Sequence, residues 1–189
     1  MKLLVVPALL AALMACARRA PQLDIFGDIP QFDLISQSGQ PFHSQALAGK
    51  IWVADFIYTT CPGPCPRMTS QMREVQDAVA MIPDVRPDVR LVSFTVDPVE
   101  DTPPVLAAYA KLHGASPAMW YFLTGPPATL QMLDRDAFKL GNIDGTLEHS
   151  TRFVLVDRQG RIRRYYDTSD SSAIRQVISD IAALDRERT

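Results

Sequence analysis

Residues 51–66 constrain the fold more than any other stretch of this chain. The run IWVADFIY (51–58) is almost continuously apolar and rich in β-branched and aromatic residues, and it leads into Thr59-Thr60-Cys61-Pro62-Gly63-Pro64-Cys65-Pro66. A run of this kind predicts a central strand buried on both faces. Just beyond it, Met68, Met72, Val75, Val79 and Ile82 recur at steps of four, three, four and three. That spacing predicts one buried helix face. A buried strand therefore gives way to a helix within a few residues, and two cysteines stand at the junction.

The remaining pattern supplies the partners of this unit. FDLIS (32–36) and PFHS (41–44) flank Gln37-Ser38-Gly39-Gln40 and predict an N-terminal β-hairpin. VRLVSFTV (89–96) is a second central strand. A helix follows, opening at Pro103-Pro104, with Asp101 or Thr102 as its cap and Val105, Leu106, Tyr109 and Leu112 facing inward. MWYFL (119–123) is a third strand, and 127–139 a third helix with Leu130, Leu133 and Phe138 inward. RFVLVD (152–157), the turn Arg158-Gln159-Gly160 and RIRRYYD (161–167) form a second hairpin. Ile174, Val177, Ile178, Ile181 and Leu184 mark a C-terminal helix starting near Asp170. Strands alternating with helices predict an α/β fold with a central mixed β-sheet flanked by helices. A cysteine pair where the first central strand meets its helix makes the expected version thioredoxin-like.

The N-terminus decides the compartment. Lys2 precedes LLVVPALLAALMA, an apolar run shorter than the about 20 residues of a membrane-spanning helix and suited to the core of a secretory signal. It ends at Leu13-Met14-Ala15-Cys16, which resembles a bacterial lipobox. The expectation is a signal over 1–15, a lipid-carrying Cys16 and a tether over 16–25, and one folded domain over 26–189 on the extracytoplasmic face of a membrane. The opposing reading is an unmodified Cys16. With 19 basic and 21 acidic residues there is no basic surplus to attract nucleic acid, which is set aside as a partner.

Cys61 and Cys65 then form an even pair in a compartment that can oxidise thiols. At a helix start the unpaired N–H groups and the helix dipole favour thiolate, the form that binds soft metals and attacks disulfides. A stabilising disulfide is the plain alternative, although so short a loop stabilises little. Three intervening residues, rather than the two of thiol–disulfide oxidoreductases, let both sulfurs point at one ion. A peroxiredoxin-type site is excluded, because Tyr58 and Ala54 stand where that chemistry needs Thr and Pro.

A third ligand must come from elsewhere. His43 in the hairpin and His113 at a helix end read as solvent-facing or capping residues. His149 lies just before RFVLVD, in the loop that packs against the cysteine turn of a thioredoxin-like fold, and is the candidate; the alternative is a hydrogen-bonded loop histidine. Two cysteines and a histidine suit copper, Cu(I) through the thiolates and Cu(II) with imidazole. Zinc, which prefers four protein ligands in structural sites, comes second.

TTCPGPCPRMT (59–69), VSFTVDPVEDTPPVLAAYA (92–110), WYFLTG (120–125) and HSTRFVLVDRQGRIRRYYD (149–167) together resemble the SCO/SenC family of copper chaperones over about residues 26–170. The resemblance implies copper held at Cys61, Cys65 and His149, and delivery of copper to, or reduction of the cysteines of, the binuclear copper site in cytochrome c oxidase subunit II. It also places Asp97 where it tunes the site or contacts the partner; equally, Asp97 and Asp101 organise the turn and cap the next helix. Many family members carry a transmembrane helix where this chain has a lipobox. A metallochaperone is the leading function. A thiol–disulfide reductase using the same cysteines is the alternative, and a copper-dependent redox sensor a third class.

Overall fold

The computed structural model describes residues 23–141 and 150–187. Cys16 and His149 lie outside them, as does most of the expected signal and tether. Eight strands form one mixed sheet: β1 (Gly27–Asp28), β2 (Asp33–Ser36), β3 (Pro41–His43), β4 (Ile51–Ile57), β5 (Val89–Thr95), β6 (Trp120–Thr124), β7 (Arg152–Val156) and β8 (Arg161–Asp167). Their spatial order is β1-β8-β7-β4-β5-β6-β2-β3. The helices are α1 (Cys65–Ala80), α2 (Pro103–Leu112), α3 (Pro127–Met132) and α4 (Ala173–Arg186).

The expected α/β architecture is present. β4, β5 and β6 run parallel, and all seven residues of β4 are buried. Its alternating side chains divide the core. Ile51, Val53 and Ile57 join α1, α2 and α4 in one apolar cluster. Trp52, Ala54 and Phe56 join α3 and the hairpin β2–β3 in the other. There Phe56 stacks on Phe94 at 5.0 Å between ring centroids, and Phe138 meets both edge-on or tilted. A run apolar on every residue is thus the signature of a strand with a core on each side.

Several details differ from the sequence reading. Val105 is 39% exposed and Leu112 79% exposed, while Leu106, Tyr109 and Ala110 face the core. Helical phase explains this, since 106, 109 and 110 share a face and 105 and 112 fall beside it. α1 stops at Ala80, and Ile82 packs on the core from the following turn. The third helix does not run to 139: α3 ends at Met132 and a π-helical turn, Leu133–Ala137, carries Leu133 inward. β1 was not foreseen. It is two residues long and pairs Gly27 with Ile162 of β8.

β1 is fastened by Arg163, whose side chain is 1% exposed. Its guanidinium donates to Asp157 (3.0 Å), to Glu187 (2.9 Å) and to the carbonyls of Leu23 (2.6 Å) and Asp24 (3.1 Å). One buried cation thus joins the first described residues, the β7–β8 hairpin and the end of α4. Burial works against an ionised Asp157, but hydrogen bonds from Arg161, Arg163 and the backbone of the turn prevail and hold its carboxyl below the ordinary value. Gly160 closes that turn at φ +78°, a left-handed conformation that favours glycine.

Candidate metal centre

The cysteine turn leaves the C-terminal end of β4, and three other segments meet it there. Val96 N–H donates to the Ile57 carbonyl at 2.9 Å, which brings the loop carrying Asp97 and Asp101 alongside. The antiparallel register of β4 and β7, Trp52 with Val156 and Ala54 with Val154, turns the entrance of β7 to this same end. The chain resumes at Ser150. Thr168 holds Thr151 by its N–H and hydroxyl (3.0 and 2.6 Å), and its carbonyl accepts from Arg67 (3.1 Å) and Gln71 (2.9 Å) of α1. The strand entrance is therefore fixed beside the first turns of α1.

Cys65 is the first residue of α1 and fully buried; Cys61 is 8% exposed. No disulfide joins the two cysteines in this structure. Pro64 takes the N-cap position, and Pro66 sits where a helix needs no N–H. The Cys61 N–H reaches the Tyr58 carbonyl at 3.3 Å, which curls the turn back, and the two thiols hydrogen-bond each other. Tyr58 is the third member, its hydroxyl raised in pKa first by its hydrogen bond to Cys61.

The helix start was expected to favour thiolate. At Cys65 the opposite holds. Burial pushes the thiol far above its ordinary value, the Cys61 hydrogen bond adds to the rise, and a backbone hydrogen bond from Tyr58 opposes it. Desolvation of a fully buried sulfur outweighs the dipole of an exposed helix end. The charge of Asp55 contributes as well. Asp55 is completely buried on the α1 face of β4 and was overlooked in the sequence, although a lone carboxylate within an apolar run was the signal. Tyr109, bonded to Thr69 at 2.8 Å, lies in the same field.

The other candidates separate clearly. His43 bonds Asp33 at 2.7 Å on the exposed hairpin at the far edge of the sheet. His113 ends α2 with its ring 4.3 Å from that of Tyr109, and burial lowers its pKa. Among the described residues no group of three His, Cys, Asp or Glu side chains is placed to hold a metal ion. Of the expected ligands, Cys61 and Cys65 lie among the described residues and His149 lies outside them. Asp97 is half-buried on the adjoining loop, where its carboxylate accepts from Glu100 N–H at 3.4 Å. Asp101 or Thr102 was expected to cap α2, and Asp101 does not. It instead turns back to Thr59 and Thr95, and Thr102, at the cap position, makes no side-chain cap bond. No helix of the described residues is long and apolar enough to cross a membrane.

Comparison with known proteins bears on the family and the fold. The SCO1/SenC family model matches residues 26–185. A protein of Stutzerimonas stutzeri named for copper binding is 31% identical over 168 residues, covering 85% of this chain and 78% of its own length. The crystal structure of a SCO1/SenC family lipoprotein from Bacillus anthracis str. Ames is 31% identical with a TM-score of 0.75, covering 84% of this chain and 95% of that one. BsSco, a member of the Sco family of cytochrome c oxidase assembly proteins in which a disulfide switch was identified, is 28% identical with a TM-score of 0.76, covering 88% and 99%.

Proposed function

The chain belongs to the SCO1/SenC family, and from that premise we propose that it is a membrane-tethered copper metallochaperone. It holds copper through Cys61, Cys65 and His149 and serves assembly of the binuclear copper site of cytochrome c oxidase subunit II. The observation that carries this reading is the pair of thiols in mutual contact, at the point where α1, the β5–α2 loop and the entrance of β7 converge. Its donor chemistry fits the ion. Two sulfurs form the soft half of a site that Cu(I) prefers, and His149, two residues before Thr151 in the sequence, is the imidazole this reading adds. Because burial keeps Cys65 protonated, copper must displace its proton, and uptake releases acid.

The test is His149→Ala in the purified full-length protein. Two thiolates alone can hold Cu(I) in linear coordination, whereas Cu(II) wants more ligands. The variant is expected to lose Cu(II) affinity by about 10²–10⁴-fold, the share of one direct ligand, to lose less for Cu(I), and to keep thiol–disulfide exchange near wild type. Copper titration in both oxidation states checks this. Wild-type affinity for both ions removes His149 from the site.

The contact between the thiols favours a second reading, thiol–disulfide reduction of the target. Cys61 and Cys65 would close one disulfide and pass two electrons and two protons to a disulfide of subunit II. Retention of exchange activity in a variant that has lost copper marks this as a separable activity of the same pair.

We assign the tether to Cys16 and the folded domain to 26–189, on the extracytoplasmic side. The lipobox pattern supports the first, and a fold whose elements run from Gly27 to Arg186 supports the second. Cys16→Ser is expected to move the protein from the membrane to the soluble fraction, or to leave its signal uncut, with copper binding intact. Mass spectrometry of the wild-type N-terminus checks the lipid; an unmodified Cys16 there contradicts it.

A further inference from the structure

We infer that Asp101 is a positioning residue for the copper ligands: its buried carboxylate clamps the cysteine turn to the β5–α2 loop and so sets the sulfur of Cys61 against that of Cys65. This deepens the copper reading and rests on it. Asp101 lies far along the chain from the cysteines and is 1% exposed. Its two oxygens accept the Thr59 N–H at 3.3 and 3.2 Å, and one of them also takes the Thr59 hydroxyl. The other takes the Thr95 hydroxyl. Thr95 in turn accepts the Asp97 N–H at 2.9 Å, and the Asp101 N–H returns to the Asp97 carbonyl at 2.9 Å. One carboxylate thus ties the end of β4 to the end of β5 and to the loop bearing Asp97.

The geometry decides between clamping and capping. A capping aspartate would spend its oxygens on the first N–H groups of α2, and no side-chain cap bond is made there. A buried carboxylate is tolerated only where several donors surround it, and such charge-assisted bonds are short and strongly directional. Thr59 cannot shift without breaking two of them. Thr59 is two residues from Cys61, whose own N–H is bonded to the Tyr58 carbonyl. Cys65 takes its place mainly from α1, as the buried first residue of that helix. The separation of the two sulfurs therefore depends on where residues 58–61 are pinned, and Asp101 is the pin.

The test compares Asp101→Asn, Thr59→Val and Thr59→Ser in the full-length protein. Cu(I) affinity is read by competition with a chromophoric Cu(I) chelator, and the midpoint potential of the Cys61–Cys65 pair in dithiol buffers. Asp101→Asn and Thr59→Val are expected to weaken Cu(I) binding by about 10–100-fold, as loss of an outer partner of a metal ligand does. Both should also move the potential to more positive values, because sulfurs held face to face form their disulfide more readily. Thr59→Ser restores the hydroxyl donor and should restore both properties. A purely structural role predicts lowered thermal stability with unchanged affinity and potential. Should Asp101→Asn fail to fold, the Val and Ser variants at Thr59 decide. Wild-type affinity and potential in Thr59→Val overturn the clamp. If the wild-type chain takes up no copper, the copper reading fails, and the potential of Thr59→Val alone supports or overturns the clamp.

Discussion

Cys65→Ser is expected to abolish copper retention while leaving the fold in place. Thiolate-rich structural metal sites are worth about 10–16 kcal/mol at neutral pH, so one ligand among three or four carries roughly 3–5 kcal/mol, or about 10²–10⁴-fold in affinity. Serine replaces a soft anionic donor by a hard neutral one and recovers little of that. The same holds for Cys61→Ser. The fold survives because no disulfide joins the two cysteines and most of the core around them comes from other residues of β4, β5, α1 and α4. Placing a hydroxyl at fully buried position 65 costs about 1–3 kcal/mol unless it finds an acceptor, less than a domain of this size can lose. Circular dichroism with copper analysis after desalting checks both halves.

Arg163→Met carries the largest expected stability effect. The methionine keeps most of the volume and removes every hydrogen bond of the guanidinium. Asp157 retains Arg161 at 2.8 Å and its turn N–H groups, and Glu187 is exposed enough to regain water, but the carbonyls of Leu23 and Asp24 lose their donor. Removing one partner of a buried ion pair costs about 3–5 kcal/mol. With those remaining contacts about 3 kcal/mol is expected, which lowers the Tm of a domain of this size by about 6–12 °C. The entry segment should also become a protease target, since β1 has only β8 to hold it. The contribution of Asp157 has a defined pH sense. Its carboxyl is held below the ordinary value, so its stabilisation is complete above the ordinary carboxylate range and fades as pH falls through the depressed value. Thermal melts of both proteins at neutral pH read the main effect; a Tm within 2 °C of wild type, less than about 1 kcal/mol, contradicts the clasp.

The contrast between Cys65 and Asp101 shows what sequence reveals here. Cys65 was legible because a run apolar at every position followed by a stripe at helical spacing admits one local structure, and the cysteine lies at its seam. The same logic located β5, β6 and both hairpins. The failures come from contacts distant in sequence. Asp101 was read, with Thr102 as the alternative, as a cap of the helix opening at Pro103-Pro104, yet its partners are Thr59, in the turn after β4, and Thr95, at the end of β5. The protonated state of Cys65 depends on burial by surrounding elements, which no local dipole argument includes. Val105 and Leu112 were placed inward because α2 was assigned the wrong phase, and β1 was missed because two residues carry no periodicity. His149 and Cys16 lie outside the described residues, and their assignments rest on the sequence.

The central claim is that copper is held by two sulfurs and one imidazole. X-ray absorption spectroscopy of the copper-loaded full-length protein measures this directly, because sulfur and nitrogen scatterers separate by distance and imidazole adds characteristic outer-shell scattering. Two sulfurs and one imidazole per copper are predicted for the wild type, with the imidazole signal lost in His149→Ala. A first shell of nitrogen and oxygen alone, or with a single sulfur, would contradict the account.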